Sequence, residues 1–179
     1  AFLAVAITGV VAAGMWTSTL GSGLPLQMWF GWHPVLMTLA FLGCMTLGMW
    51  MHKSAGPGDE GRRAHAILMG TAVVIMIPGY LAVLIPHLPR GQAFGYDFKL
   101  GAWKEWRRVL HACLGHALVA AALLQALAGL AKLRALGLGR RTLRFHGRLG
   151  RWLLGLAAAN LALGAWLSAW APVLRLLAP

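Results

Sequence analysis

Five long apolar stretches, separated by short polar connections, dominate the hydrophobic pattern of this chain. They cover residues 1–20, 26–51, 64–85, 109–131 and 143–170. An α-helix needs about 20 residues to cross the hydrocarbon core of a bilayer, whereas a spanning β-strand needs only about half as many. Glycine, proline and charged residues fill the connections, which favours turns there. The pattern predicts an all-α fold, a polytopic transmembrane helix bundle with five spans, forming a single domain over residues 1–179.

Composition agrees with a multi-pass integral membrane protein. The 179 residues are 59% hydrophobic and only 11% charged, and the mean hydropathy is +0.69. The formal net charge of +12 raises the question of nucleic acid. However, the basic residues cluster in the connections between apolar spans, which is typical of contact with anionic lipid headgroups. We therefore expect membrane lipid, and no nucleic acid, as a partner.

The distribution of lysine and arginine predicts the orientation. Consecutive spans alternate in direction, so the connection after the second span and the connection after the fourth lie on the same side. That side carries ten basic residues and the other side six. By the positive-inside rule, these two connections are predicted to be cytosolic.

One histidine lies near the start of each of the last four spans: His33, His65, His111 and His146. An ionisable residue in a membrane segment is costly, so its default interpretation is functional. Because the spans alternate in direction, His33 and His111 are predicted to share the non-cytosolic side, and His65 and His146 the cytosolic side. The pattern predicts two bis-histidine sites, on the order of 20 Å apart along the membrane normal.

Haem iron suits these sites better than zinc. A compact zinc site needs three or four ligands, whereas two axial imidazoles are a complete protein ligand set for a haem. We therefore predict two b-type haems, held by His33 with His111 and by His65 with His146. Gly115 and Gly150 each lie four residues after a histidine, where they would leave room for a flat macrocycle. Small residues also mark ordinary helix contacts in membranes.

The other three histidines have different predicted roles. His52 ends the second span and is expected to be solvated. His116 is turned about 140° around the helix from His111, so it is interpreted as an interhelical hydrogen-bond donor. His87 follows the third span and is either a loop residue or a contact for an electron acceptor.

Four segments together resemble the eukaryotic cytochrome b561 family of transmembrane ascorbate-dependent reductases. FGWHPVLMTLAFLGCMTLGM, from Phe30, is similar to the His-Pro helix of the family, and GRRAHAILMG, from Gly61, to the next histidine helix. VLHACLG and RFHGRLGRWLLGLAAANLALG resemble the two helices with a His-x-x-x-Gly signature. The resemblance implies two haems on four central helices, with the same ligand pairs. The family has six spans, so the first span is expected to be clipped and a sixth to be missing.

The resemblance also implies substrate residues and an activity. Basic residues preceding the cytosolic histidines would hold an anionic donor such as ascorbate, although each can also be plain positive-inside charge: Arg62, Arg63, Arg140 and Arg144. On the other face, His87, Trp106 and Arg108 would bind monodehydroascorbate or a ferric chelate. The expected enzyme transfers single electrons across the membrane, from donor to haem to haem to acceptor.

Two other classes of protein remain open from the sequence. One is a non-catalytic haem-bearing subunit that relays electrons within a larger complex, and the other is a structural membrane subunit without a cofactor. The chain's four acidic residues all lie in connections, which argues against proton-coupled transport through buried carboxylates. A homodimer or a larger membrane complex, and the identity of the membrane, are left open.

Overall fold

Four long helices form the molecule, as a computed structural model of residues 28–54, 59–140 and 142–168 describes it. Helix α1 runs Trp29–Ser54, with a π-helical stretch at Leu39–Met45. Helix α2 runs Asp59–His87 and is followed by a 3-10 turn, Leu88–Arg90. Helix α3 runs Trp106–Gly137 and α4 runs His146–Ser168. These helices correspond to the predicted second to fifth spans, and the predicted first span, 1–20, lies outside the described residues.

Helix α3 extends beyond both ends of its predicted apolar span, 109–131. The sequence boundary was drawn where charged residues begin, but Lys132 and Arg134 continue the helix. Polar residues end a membrane span without ending a helix, because the backbone hydrogen bonds are satisfied within the segment. The helix ends at Gly137, shortly before Gly139 turns the chain with a φ of 71°.

The connection between α2 and α3 contains a small antiparallel sheet, which the all-helical prediction did not include. Its three strands are β1 (Gln92–Ala93), β2 (Tyr96–Asp97) and β3 (Ala102–Trp103), in the order β1-β2-β3. Phe94 and Gly95 join β1 to β2 with φ angles of 52° and 79°, as two-residue hairpin turns require. A Cβ on Gly95 would lie 2.6 Å from Cα of Val109, so the turn packs directly on α3.

All four helices contribute to one hydrophobic core. Small residues allow the helices to approach closely, as is usual within membranes. The buried apolar residues of this core include Met37, Ala40 and Phe41 of α1, Ala72 and Met76 of α2, Leu118 and Ala122 of α3, and Leu153 and Ala157 of α4.

The outer surface of the helices is apolar as well. On α3, for example, Leu124 and Leu127 are 67% and 62% exposed. Three of the described helices are long and apolar enough to cross a membrane, namely α1, α2 with its 3-10 turn, and α3. A bundle that is apolar both inside and outside is suited to hydrocarbon surroundings.

Candidate functional site

His33 and His111 lie together at one end of the bundle. Their ring centres are 6.4 Å apart, and their ring planes are nearly perpendicular, at 87°. His33 Nδ1 donates a hydrogen bond to the carbonyl oxygen of Gly79 at 2.8 Å, and His111 Nδ1 donates to the carbonyl oxygen of Asn160 at 3.1 Å. Because a carbonyl can only accept, each Nδ1 carries the proton, and each Nε2 keeps its lone pair for another partner.

His65 and His146 form the second pair, with the same spacing. Their ring centres are 6.4 Å apart and their planes cross at 86°. His65 Nδ1 donates to the carbonyl oxygen of Gly48 at 3.2 Å. His146 Nδ1 is buried without a hydrogen-bond partner. The structure therefore brings together the two pairs that the alternation of spans predicts, each from two different helices.

The spacing of each pair fits one metal ion between two imidazoles. A metal ion binds an imidazole nitrogen at about 2.0 Å, and that nitrogen lies about 1.2 Å from its own ring centre, so two opposed rings have centres about 6.4 Å apart. No group of three or more His, Cys, Asp or Glu side chains that could hold a metal ion occurs within residues 28–54, 59–140 and 142–168. The ring-centre separation of 6.4 Å in each pair is compatible with two imidazoles that bind one metal ion from opposite sides.

Glycines leave the space that two of these rings occupy. A Cβ on Gly164 of α4 would lie 2.7 Å from Cε1 of His111 on α3. A Cβ on Gly129 of α3 would lie 3.1 Å from Cε1 of His146 on α4. Each of these two helices therefore carries one of the paired histidines and one glycine that accommodates the paired histidine of its neighbour.

Comparison with known families agrees with this arrangement. A family model described as eukaryotic cytochrome b561 matches residues 32–171, which include all four histidines. The chain belongs to the eukaryotic cytochrome b561 family. No curated protein and no solved structure was found to match it. Cytochrome b561 proteins are multi-pass integral membrane proteins that use b-type haem for transmembrane electron transfer, so this chain is a membrane oxidoreductase of that kind.

The two glycines of the His-x-x-x-Gly signature lie at the contact between α3 and α4 in this cytochrome b561. A Cβ on Gly115 would lie 3.3 Å from Nδ2 of Asn160, and a Cβ on Gly150 would lie 3.3 Å from Nε2 of Gln125. In this structure they make room for amide side chains of the neighbouring helix. Gly129 and Gly164 contact the histidine rings but were not predicted from the sequence. Each of them lies on the helix opposite the histidine that it contacts, so no spacing within one helix identifies it.

An internal repeat explains why these contacts occur in matching sets. His111, Gly115, Gln125 and Gly129 recur 35 positions later as His146, Gly150, Asn160 and Gly164. The contacts between α3 and α4 are reciprocal. The paired histidine of each helix meets the second glycine of the other helix's repeat, and the amide of each helix meets the first glycine of the other helix's repeat. This reciprocity is possible only between antiparallel helices, and the repeat is visible in the sequence once it is sought.

Helices α1 and α2 form a second repeated pair. The segments His33-Pro-Val-Leu-Met and His65-Ala-Ile-Leu-Met begin the two copies, and each histidine bonds to a glycine carbonyl near the end of the other copy. Gly48 follows His33 by 15 positions, whereas Gly79 follows His65 by 14. The π-helical stretch Leu39–Met45 lies within the longer copy and accommodates the additional residue, as π-bulges do.

The remaining histidines differ in part from their predicted roles. His116 Nδ1 donates to the Ala112 carbonyl of its own helix at 2.6 Å, so the interhelical hydrogen bond predicted for it is wrong. Its ring instead lies 4.3 Å from the ring of Phe94, which anchors the β1–β2 turn. His52 is exposed, as predicted, but its ring centre is only 5.2 Å from that of His65.

His87 is the last residue of α2 rather than a loop residue. Its Nδ1 donates to the Val83 carbonyl at 2.7 Å. Its ring centre is 6.0 Å from that of Phe30, which in turn is 6.3 Å from that of His33. An aromatic side chain therefore lies between His87 and the His33/His111 pair.

The residues predicted to bind substrates lie near the expected ends of the bundle. Arg63 and Arg140 are exposed and Arg62 is half-buried, while Arg144 is exposed two residues before His146. Lys132 interacts electrostatically with both His65 and His146, although the sequence analysis did not single it out. At the other end Trp106 lies against Arg107, with the guanidinium carbon 5.7 Å from the ring centre, and Arg107 also covers Trp166 at 4.9 Å.

Proposed function

We propose that this protein carries single electrons across a membrane through two b-type haems, from a cytosolic donor such as ascorbate to monodehydroascorbate or a ferric chelate on the other side. The observation that carries the proposal is the pairing of four histidines from four helices, with both pairs at a ring-centre separation of 6.4 Å. When bound, each haem supplies a one-electron couple that protein side chains lack. We treat the four helices as the core of a single domain.

His33 and His111 would hold one haem, and His65 and His146 the other. The hydrogen bonds from Nδ1 of His33, His65 and His111 to backbone carbonyls fix the tautomer that presents Nε2 to iron. Such bonds also orient the imidazole and raise its basicity. His146 has the same spacing to its partner without that hydrogen bond.

The donor would bind beside the His65/His146 pair. Arg62 and Arg63 precede His65, and Arg140 and Arg144 precede His146, so both basic groups belong to the same end of the bundle. Guanidinium groups bind an anionic enediolate through charge and paired hydrogen bonds. Lys132 adds positive charge at the same end.

The acceptor would bind beside the His33/His111 pair, at His87, Trp106 and Arg108. What supports this assignment is the contact of His87 with Phe30 and of Phe30 with His33. His87 would provide a hydrogen-bonding group at the surface, and Arg108 a positive charge for an anionic acceptor. Trp106 is 64% exposed at the start of α3, which leaves one ring face for a ligand.

Reduction of the purified, haem-loaded protein by ascorbate tests this proposal. Ascorbate should reduce the haem that dithionite reduces, and the double variant Arg63→Ala/Arg140→Ala should react with ascorbate about tenfold more slowly, because electrostatic attraction raises the encounter rate. Arg134→Ala/Arg148→Ala, which removes two exposed arginines from the same end of the bundle, is the control for charge alone. Haem that dithionite reduces and ascorbate does not would exclude ascorbate as the donor, and a folded protein without haem would exclude the whole proposal.

A further inference from the structure

Two amide side chains occupy equivalent places in the α3–α4 repeat. Gln125 lies 14 residues after His111, and Asn160 lies 14 residues after His146. Each is the only amide side chain in its helix, within segments composed otherwise of apolar and small residues around that depth. An amide in hydrocarbon surroundings costs free energy unless it is hydrogen-bonded. Two such residues in register therefore call for a specific explanation.

Asn160 lies beside the His33/His111 pair. It is only 7% exposed, and its main-chain carbonyl accepts the Nδ1–H of His111. Its side-chain Nδ2 lies against Gly115, one helical turn from His111. Its Oδ1 is buried without a hydrogen-bond partner. A buried carbonyl dipole without a partner has a strong electrostatic effect on neighbouring groups, because little solvent screens it.

Gln125 has the corresponding place beside the His65/His146 pair. Its Nε2 donates a hydrogen bond to the main-chain carbonyl of His146 at 2.5 Å and lies against Gly150, one turn from that histidine. His146 is the first residue of α4 and has no partner for its Nδ1. The Gln125 side chain therefore adds a hydrogen bond from α3 to the turn that carries this histidine.

We propose that Asn160 and Gln125 are matched positioning residues, Asn160 for the His33/His111 pair and Gln125 for the His65/His146 pair. This inference rests on the proposed haem binding and adds two residues that act through the ligands. The partial negative charge of Asn160 Oδ1 favours the more positive, oxidised state of the nearby redox centre. Gln125 keeps the first turn of α4 in place, so that His146 holds its ligand position.

Two substitutions by apolar residues of similar size test the proposal. Two further variants, which replace one amide side chain by the other, test whether an amide restores the lost property. Asn160→Leu should raise the midpoint potential of one haem only. Gln125→Met should weaken retention of the other haem by about 10-fold or more, as loss of an outer-shell partner does in metal sites. Asn160→Gln and Gln125→Asn, which keep an amide, should restore part of each effect. Thr71→Val is the control, because it removes an exposed hydroxyl of α2 that donates a hydrogen bond to Ile67 of its own helix.

The measurements are a spectroelectrochemical titration, the low-temperature electron paramagnetic resonance spectrum and haem per chain. His111→Ala and His146→Ala, each with one haem remaining, assign the two signals. The proposal is supported if Asn160→Leu shifts the potential of its assigned haem alone, Gln125→Met loses its assigned haem alone, and Thr71→Val shows neither effect. Equal shifts of both haems, or none in protein that binds two haems, would overturn it. Absence of haem from the wild type would instead overturn the proposed function.

Discussion

Hydrogen bonds give three of the four candidate ligands a defined orientation. His33, His65 and His111 each donate Nδ1–H to a main-chain carbonyl of a different helix. A main-chain acceptor does not depend on the identity of its side chain, so the orientation is set by helix packing. The ligand geometry is therefore a property of the bundle as much as of the four residues.

Replacing one histidine should remove one haem and leave the other. His111→Ala deletes one of two axial ligands, and we expect the haem content to fall from two per chain to one. His116→Ala is the matched control, since this histidine lies on the same helix and contacts Phe94 and Tyr80. Absorbance of the haem relative to protein measures both. Retention of two haems by His111→Ala, or loss of one by His116→Ala, would show that the pairing is wrong.

At the scale of residues, the sequence was sufficient to identify the four histidines but not the residues that contact them. The four histidines stand out because each is polar, lies at a similar depth and belongs to a different apolar span. Gly129 and Gly164 do not stand out, because glycine is frequent in membrane helices for ordinary packing. Their role depends on the register between two antiparallel helices, which no single helix encodes.

The reciprocal contacts between α3 and α4 make these two helices a single unit at the scale of elements. Because each helix supplies both a ligand and the space for the other's ligand, a shift of one helix along the other would disturb both histidine pairs. The same reciprocity in α1 and α2 needs the π-helical stretch, which keeps the longer copy in register.

Adding one methyl group at Gly164 should disturb only the His33/His111 pair. The new Cβ would lie 2.7 Å from His111 Cε1, and the ring cannot move without losing its bond to Asn160. Overpacking of this kind costs about 1–3 kcal/mol. Gly164→Ala should therefore lose one haem in part, whereas Gly155→Ala, where a Cβ meets nothing within 4 Å, should keep both. The measurement is the haem content of each variant after purification. Equal haem content in the two variants would contradict the conclusion that Gly164 leaves the space for the His111 ring.

The small sheet between α2 and α3 should loosen in acid. Gln92 Nε2 donates a hydrogen bond to the Asp97 carboxylate, and with the amides of Leu100 and Lys99 it holds the pKa of Asp97 below its usual value. Stability from this network is present above the unfolded-state pKa and is lost as the pH falls through the lower folded-state pKa.

Asp97→Asn tests this account of the sheet by hydrogen exchange. At neutral pH the Lys99 and Leu100 amides should exchange faster in the variant than in the wild type, and the difference should shrink as Asp97 becomes protonated. Glu60→Gln, an exposed carboxylate at the other end of α2, is the control. A difference that stays constant from pH 7 down through the pH at which Asp97 becomes protonated would mean that the carboxylate charge does not hold the sheet.

The elements themselves were predictable to different degrees. The four described helices follow from apolar length, because only a helix satisfies the backbone over such a stretch in lipid. The sheet was missed because its strands are two residues long and depend on Gly91, Gly95 and Gly101, whose φ angles are all positive. Strands this short have no alternating pattern to detect.

At the scale of the whole molecule, the two histidine pairs belong to opposite ends of one bundle. His33 and His111 each lie near the N-terminal end of a helix that starts on one side, and His65 and His146 near the N-terminal end of a helix that starts on the other. A membrane cytochrome needs this separation, because electrons must pass from one face to the other through surroundings that exclude water. The internal repeats provide this separation, because each repeat places a histidine near the N-terminal end of its helix and the two helices of a pair run in opposite directions.

The amount of haem bound per chain tests the central claim most directly. Purified protein should give two b-type haems per chain in a reduced-minus-oxidised spectrum combined with a protein assay, because each histidine pair offers a complete set of axial ligands. One haem per chain would mean that only one of the two pairs is a ligand site. A folded protein without haem would contradict the assignment of both.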